Sequence, residues 1–379
     1  MKILLLQTGS VSAKLSDKLI DEFALRGHEV HDYMTYEANY IYNKLSGKQK
    51  YKRFSVDDET VEYRDTRKVR HISETEWADA CLVAPADFNT VGKIWNGIAD
   101  NFVTSCIAAF VGTGKPVYIA DAMNSNMFSN PIYQRNRSML DGIGNVHFIQ
   151  PTVKALACGT TGVGALADIK TIANIVEGHV WSQPVARKDW TPIKQDFCYS
   201  EDCRTLREYL PRFGEPGYFG AQRKHDRHKG VDIYCKEGSS VYAVEDGEVV
   251  DSYQYTGEAA GCGWWNDTWC IKVEGKSGVV TYGELRMPSV ASVEYPAIGS
   301  KVTAGTPIGQ VGRVLAEGKE RPDIRNHSTS MLHIELRTES CHIDGWKLDE
   351  QCDRRLLAPL PYLLDKRIAT NDPIRPIGL

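Results

Sequence analysis

Residues 80–101 read ACLVAPADFNTVGKIWNGIADN: an apolar run, a polar turn, then a stretch with amphipathic helical spacing. A strand that is apolar throughout, rather than at alternate positions, is buried on both faces. The pattern recurs in KILLLQ (Lys2–Gln7) followed by AKLSDKLIDEFALRG, in EVHDYM (Glu29–Met34), in PVYIADAM (Pro116–Met123) and in NVHFIQ (Asn145–Gln150). Strands of this kind alternating with helices predict a parallel sheet covered on both sides, running from Lys2 to about Gly178. In such sheets ligands bind at the carboxyl ends of the strands. The charged stretch Asn43 to Arg70 breaks the rhythm and reads as an exposed insertion or hairpin.

Beyond GHVWSQPVARKDWTP (Gly178–Pro192) the texture changes. Short β-like runs separated by Gly and Pro turns follow: GSSVYAVEDGEVVDSY, TWCIKVEG, GVVTYGEL, GSKVTAGTPIGQVG and MLHIELR. They predict a mainly antiparallel β domain. The expected organisation is one domain over residues 1–180, a linker over 181–217 that includes Pro184, Pro192, Pro211 and Pro216, a β domain over 218–345 and an extension over 346–379. A chain of 379 residues suits two cores better than one.

With 45 basic and 49 acidic side chains the net charge is −4, which offers no broad positive surface for nucleic acid or anionic lipid. The opening MKILLLQTGS is too short in apolar residues to span a membrane and leads into a Gly-Ser turn, so a cytoplasmic chain is expected. The ten cysteines form no CxxC pair and are expected as reduced thiols.

QTGSVSA (Gln7–Ala13) combines a strand end, a Gly-Ser turn and a helix start, so Gly9, Ser10 and Ser12 are candidates to hold a phosphate. APADFNT and DAMNSNMFSNP also follow strands, and RHISETEWAD and LACGTTGVG complete the set. In this combination residues 1–178 resemble the FMN-dependent cysteine decarboxylases, the family of phosphopantothenoylcysteine decarboxylase and the lantibiotic peptidyl-cysteine decarboxylases. The resemblance implies a flavodoxin-like (Rossmann-type) α/β fold, FMN, and assembly as a trimer or a multiple of one. It implies that His71 is the base and that Pro85, Asn89, Thr90 and Met123 belong to the flavin motifs. It further implies that Asn124 holds the substrate carboxylate and that Cys158 is the substrate-clamp thiol. Asp121 stands where the family's Met-Asn signature has proline, and Asp87 and Phe88 stand where its flavin motif has small residues.

In the second half, RHKGVDIYC places His228 and Asp232 four apart, and MLHIELR contributes His333. Read with GSKVTAGTPIGQVG, residues 218–340 resemble the lysostaphin-like (LytM-type) zinc metallopeptidases. That resemblance implies His228, Asp232 and His333 as ligands of Zn2+, and a peptide or peptidoglycan as ligand. The family's two non-ligand histidines fall on Met331 and Glu284, with His225 and His327 nearby in sequence. Methionine cannot accept a proton, whereas Glu284 is a candidate general base or a surface residue. GCGWWNDTWC (Gly261–Cys270) reads either as an aromatic wall for a ligand or as a buried hairpin.

The function expected from these features is FMN-dependent oxidative decarboxylation of a small molecule or peptide ending in cysteine, with a zinc-binding domain that cleaves or recognises peptide. The alternative is a non-catalytic oligomeric flavoprotein scaffold, a structural, cell-wall-associated or viral component carrying a degenerate zinc module.

Overall fold

The computed structural model describes residues 1–46, 66–155, 161–185, 217–221, 227–315, 330–339 and 356–363. Most of the expected insertion, together with Cys158, His225 and His327, lies outside the described residues. The chain divides into two units, Met1–His179 and Val180–Leu379.

In the first unit β1 (Lys2–Gln7), β2 (Glu29–Met34), β3 (Ala80–Ala86), β4 (Val117–Asp121) and β5 (Val146–Ile149) form a parallel sheet in the order β2-β1-β3-β4-β5. Ile3 to Leu6 and Cys81 to Val83 have no exposed surface, as continuous apolar runs require when helices cover both faces. The order reverses between β1 and β3, which puts a crevice at their carboxyl ends. The helices are α1 (Ser16–Leu25), α2 (Tyr36–Leu45), α3 (Arg70–Trp77), α4 (Phe88–Trp95), α5 (Phe102–Val111), α6 (Ser125–Phe128), α7 (Pro131–Asp141) and α8 (Ile169–Val176). Several start where a short polar residue caps the first turn. Thr35 accepts from Ala38 N at 3.2 Å, Asp87 from Thr90 N at 2.7 Å, and Asn101 forms a capping box with Thr104. A hairpin of β6 (Thr152–Ala155) and β7 (Thr161–Ala165) lies outside the main sheet.

The second unit is antiparallel throughout. Strands β8 (Val231–Tyr234), β9 (Ser240–Tyr242), β10 (Gly247–Thr256), β11 (Thr268–Gly275), β12 (Gly278–Leu285), β13 (Lys301–Val302), β14 (Pro307–Gln310), β15 (Met331–Arg337) and β16 (Leu356–Leu357) supply a seven-stranded sheet and the pair β14-β9. The start of the expected linker packs into this unit. Trp181 is fully buried, donates to Ser277 Oγ at 3.3 Å and stacks on Tyr362 at 4.8 Å. The expected extension also enters the sheet, because β16 pairs with β15.

Among the described residues no helix is long and apolar enough to cross a membrane. The described cysteines, Cys81, Cys106, Cys235, Cys262 and Cys270, are free thiols.

Candidate active site and metal centre

Three strand ends of the first unit are tied together by backbone and hydroxyl bonds. Thr8 donates from both its amide and its Oγ1 to the Pro85 carbonyl at 3.0 Å, and its Oγ1 accepts from Asp87 N at 2.8 Å. This locks the turn after β1 against the turn after β3. Gly9 sits in the join, where an added Cβ would lie 3.0 Å from Glu37 Cβ and 3.2 Å from Asp87 Oδ2. Ala122 N donates to Ala86 O at 3.0 Å and Met123 N to Gly164 O at 2.8 Å, so the turn after β4 is fixed on both sides. Gly164 has φ +128, and a Cβ there would fall 2.2 Å from the Met123 carbonyl oxygen. Only glycine allows this approach. Asn124 then caps α6, its Oδ1 accepting from Asn126 N at 2.9 Å.

His71 lies in the first turn of α3, the helix that leads into β3. A helix feeding a parallel strand runs back along the sheet, so its amino end stands at the carboxyl edge of the strands. The helix is fastened there by Glu74, which accepts from Tyr33 OH at 2.8 Å and from His31 Nδ1 at 2.6 Å.

In the second unit the register of β8 and β15 sets Asp232 opposite His333 and Tyr234 opposite Met331. His333 Nδ1 is 2.7 Å from Asp232 Oδ1, and His228 Nε2 is 3.1 Å from the same oxygen. His228 Nδ1–H donates to the Tyr218 carbonyl at 3.0 Å, which turns the Nε2 lone pair toward the cluster. The ligating atoms of His228, Asp232 and His333 lie within 4.8 Å of one another, and all three residues are buried. Two imidazoles and a carboxylate in this compass are a donor set that suits zinc.

A divalent cation bound here would take the place of the protons that the imidazoles otherwise share with the carboxylates. Burial penalises the Asp232 carboxylate, but the His228 and His333 imidazoles more than offset it and hold the group well below the usual range. Burial likewise opposes charge on His333, yet carboxylates on both ring nitrogens push it up to about 10. The second of these is Glu335, whose Oε1 is 3.1 Å from His333 Nε2 and whose Oε2 accepts from Arg337 at 2.9 Å. Tyr255 OH donates to Glu335 Oε1 at 3.4 Å, and its ring lies beside Gly283, the partner of His333 on β12.

Residues 1–181 match the family model described as Flavoprotein, and residues 226–345 match Peptidase family M23. A probable phosphopantothenoylcysteine decarboxylase of Streptococcus mutans serotype c is 36% identical over 176 residues, covering 46% of this chain and 97% of the relative. The chain belongs to the flavoprotein family. A phosphopantothenoylcysteine decarboxylase of Arabidopsis thaliana is also 36% identical over 176 residues, covering 46% of this chain and 83% of the relative. A solved structure titled the FMN binding protein AtHal3 is 36% identical, with TM-score 0.42, 46% of this chain and 94% of that one covered. In the second half of this flavoprotein the match to Peptidase family M23 spans residues 226–345, called the M23 domain below.

The flavoprotein unit thus gathers Gly9, Ser10, Asp87, Thr90, Met123 and Asn124 at one edge of its sheet. Ser10 Oγ accepts from Ser12 N at 3.4 Å, so Ser10 and Ser12 share one turn. Pro85 is buried in β3, where its carbonyl serves Thr8, while Asn89 is exposed at the start of α4. Sequence reasoning missed Thr8, Gly164 and a buried pair formed by Asp121 and Arg137, which are 2.7 Å apart.

In the M23 domain Met331 is 8% exposed and packs with Tyr234 and Val314, against which Trp265 and Leu315 also lie. Trp264, by contrast, is 59% exposed, so GCGWWNDTWC is part core and part surface. Glu284 is buried on β12 with φ +63, in the stretch where the β11–β12 register shifts. Glu335 and Arg337 were not anticipated. Their signal was present as His333, Glu335 and Arg337 at alternate positions of one strand, which share a face.

Proposed function

We propose that the flavoprotein unit is an FMN-dependent decarboxylase of a small molecule or peptide ending in cysteine. The observation that carries this is the meeting of the Gly9, Asp87 and Met123–Asn124 turns at the sheet's carboxyl edge, in a unit 36% identical over 176 residues to phosphopantothenoylcysteine decarboxylases. The hydroxyls of Ser10 and Ser12 and the tight turn at Gly9 suit a flavin phosphate. The flavin, when bound, supplies a hydride acceptor.

A carboxylate beside a saturated carbon has nowhere to leave its electrons until that carbon's neighbour is oxidised. Oxidation of the thiol carbon to a thioaldehyde creates the sink, and His71 is the base that takes the thiol proton as hydride departs. Asn124 orients the carboxylate. Its Oδ1 is turned to Asn126 N, which makes Nδ2, a donor, the group suited to a carboxylate oxygen. A neutral donor holds the carboxylate without the charge that would stabilise it against loss. Cys158 is the candidate to close over the substrate.

The M23 domain is proposed to hold zinc through His228, Asp232 and His333 and to recognise a peptide, with peptidoglycan as one ligand class. Recognition is favoured over cleavage because Met331, whose side chain cannot move a proton, is packed into an apolar cluster beside the ligands. Glu284 is the remaining candidate base. Assembly as a homotrimer or a multiple of one and a cytoplasmic location complete the reading.

The test uses the full chain loaded with FMN and offered phosphopantothenoylcysteine and cysteine-terminated peptides. Flavin bleaching and release of carbon dioxide are expected, with both lost in His71→Asn at unchanged flavin content. A loaded protein that binds flavin but never bleaches with any thiol-carboxylate is the scaffold of the alternative reading.

A further inference from the structure

Asp121 ends β4 with no exposed surface, and its Oδ2 accepts from Arg137 Nε of α7 at 2.7 Å. Arg137 is itself fully enclosed. Its guanidinium carbon lies 4.4 Å from the Phe148 ring centre and 6.0 Å from that of Phe128. Removing two opposite charges from water is costly, and well-packed apolar residues in their place are often as stable or more so. A buried pair therefore calls for an account other than stability.

Its position supplies one. Ala122 and Met123, the residues after Asp121, are bonded to Ala86 and Gly164, and the next residue is Asn124. Arg137 grips the chain on both sides of that turn: by ion pair at Asp121 before it, and by ring contact at Phe128, the last residue of the helix that Asn124 caps. Tyr133, one helical turn earlier on α7, packs against Phe128 at 5.9 Å and against Phe88, the first residue of α4, at 5.4 Å. A proline in this place would fix φ by its ring alone. Aspartate has no such constraint.

We propose that Asp121 and Arg137 are a positioning pair for Asn124, holding the carboxylate-binding turn from the protein interior. The inference rests on the reading of Asn124 as the group that binds the substrate carboxylate. The pair is neutral as a whole, so it can set the turn without adding a net charge beneath the substrate.

The experiment compares variants of the FMN-loaded full chain by flavin content, melting temperature, kcat and KM with phosphopantothenoylcysteine. Calorimetric binding of phosphopantothenoylserine, which lacks the thiol to be oxidised, is measured alongside. Asp121→Leu/Arg137→Leu removes both charges and is expected to keep flavin while losing about 10²-fold in kcat/KM, as a misplaced binding group does, and to weaken the serine analogue. Asp121→Pro/Arg137→Leu has the same apolar partner and is expected to recover most of both losses. Arg137→Lys keeps the charge and loses the planar fork, and is expected to lower kcat/KM at nearly constant melting temperature. Parental kcat/KM in the double-leucine or the lysine variant, or no recovery in a folded, flavin-loaded proline variant, overturns the proposal. Asn124→Ala separates the two layers. If it leaves kcat/KM and analogue binding at parental values, the reading of Asn124 fails, whereas a loss there together with parental double-leucine behaviour fails the positioning pair alone.

Discussion

His228 Nε2 and His333 Nδ1 lie 3.1 Å apart, and Asp232 Oδ1 stands between them at 3.1 and 2.7 Å. So close an approach of two imidazoles to one carboxylate oxygen is the arrangement a single cation would organise. Zinc added to metal-free protein is therefore expected to bind at one equivalent and to raise the melting temperature, by mass action on the folded state alone. His228→Ala is expected to abolish both effects. Zinc that still binds at one equivalent in His228→Ala would place the site elsewhere.

Glu335 reaches the far nitrogen of His333 at 3.1 Å and is itself held by Arg337. Partners of this kind orient a ligand imidazole and raise its basicity. Glu335→Gln keeps the shape and a hydrogen bond but gives up the charge. Its zinc affinity is expected to fall about 10- to 100-fold, measured by competition with a chromophoric chelator. An affinity equal to the parent's would show that Glu335 matters only to the metal-free protein.

What the sequence disclosed and what it hid follow from the range of the interactions. The parallel sheet was legible because burial on both faces writes itself into consecutive residues such as Ile3 to Leu6. His228 and Asp232 could be paired from the sequence because they are four apart on one segment, whereas His333 was joined to them only through the family resemblance. Asp121 and Arg137 are 16 residues apart with no local pattern to join them, and an aspartate ending a strand reads as solvent-facing. Trp181 looked like part of a linker because its partners, Ser277 and Tyr362, lie far along the chain. Met331 was visible as a departure from a family pattern, but the cluster of Tyr234, Val314 and Trp265 that encloses it was not.

Asp87 occupies a place where the resembling family has a small residue. Its Oδ1 caps α4, and its Oδ2 lies 3.2 Å from where a Cβ on Gly9 would stand. A flavin phosphate held, as proposed, at the Gly9–Ser10 turn would meet this carboxylate as a like charge. Asp87→Ser retains a capping oxygen and removes the repulsion, and serine and aspartate are nearly equal as caps. FMN affinity is expected to rise about tenfold at low ionic strength, the equivalent of about 1.4 kcal/mol, with the gain shrinking as salt screens the charge. Quenching of free FMN fluorescence on titration measures it. Equal affinities with equal salt slopes would put the phosphate away from Asp87.

Cys270 is fully buried on β11, and burial, only partly countered by Lys272 and Tyr253, pushes its thiol up to about 12. An unfolded chain loses this proton near pH 8.5. Between those two values the folded state holds a proton that the unfolded state has released, so this thiol's contribution to stability is complete below pH 8.5 and declines as pH rises toward 12. In the native protein at pH 9 a solvent thiol is largely thiolate and alkylates readily, whereas Cys270 is expected to stay unmodified in peptide-resolved mass spectrometry until denaturant is added. Melting temperatures taken from pH 8 to pH 10.5 are expected to fall less steeply in Cys270→Ala than in the parent. Rapid native alkylation of Cys270 at pH 9, with identical slopes for the two proteins, would show that the thiol is reached by solvent and carries no linked stability.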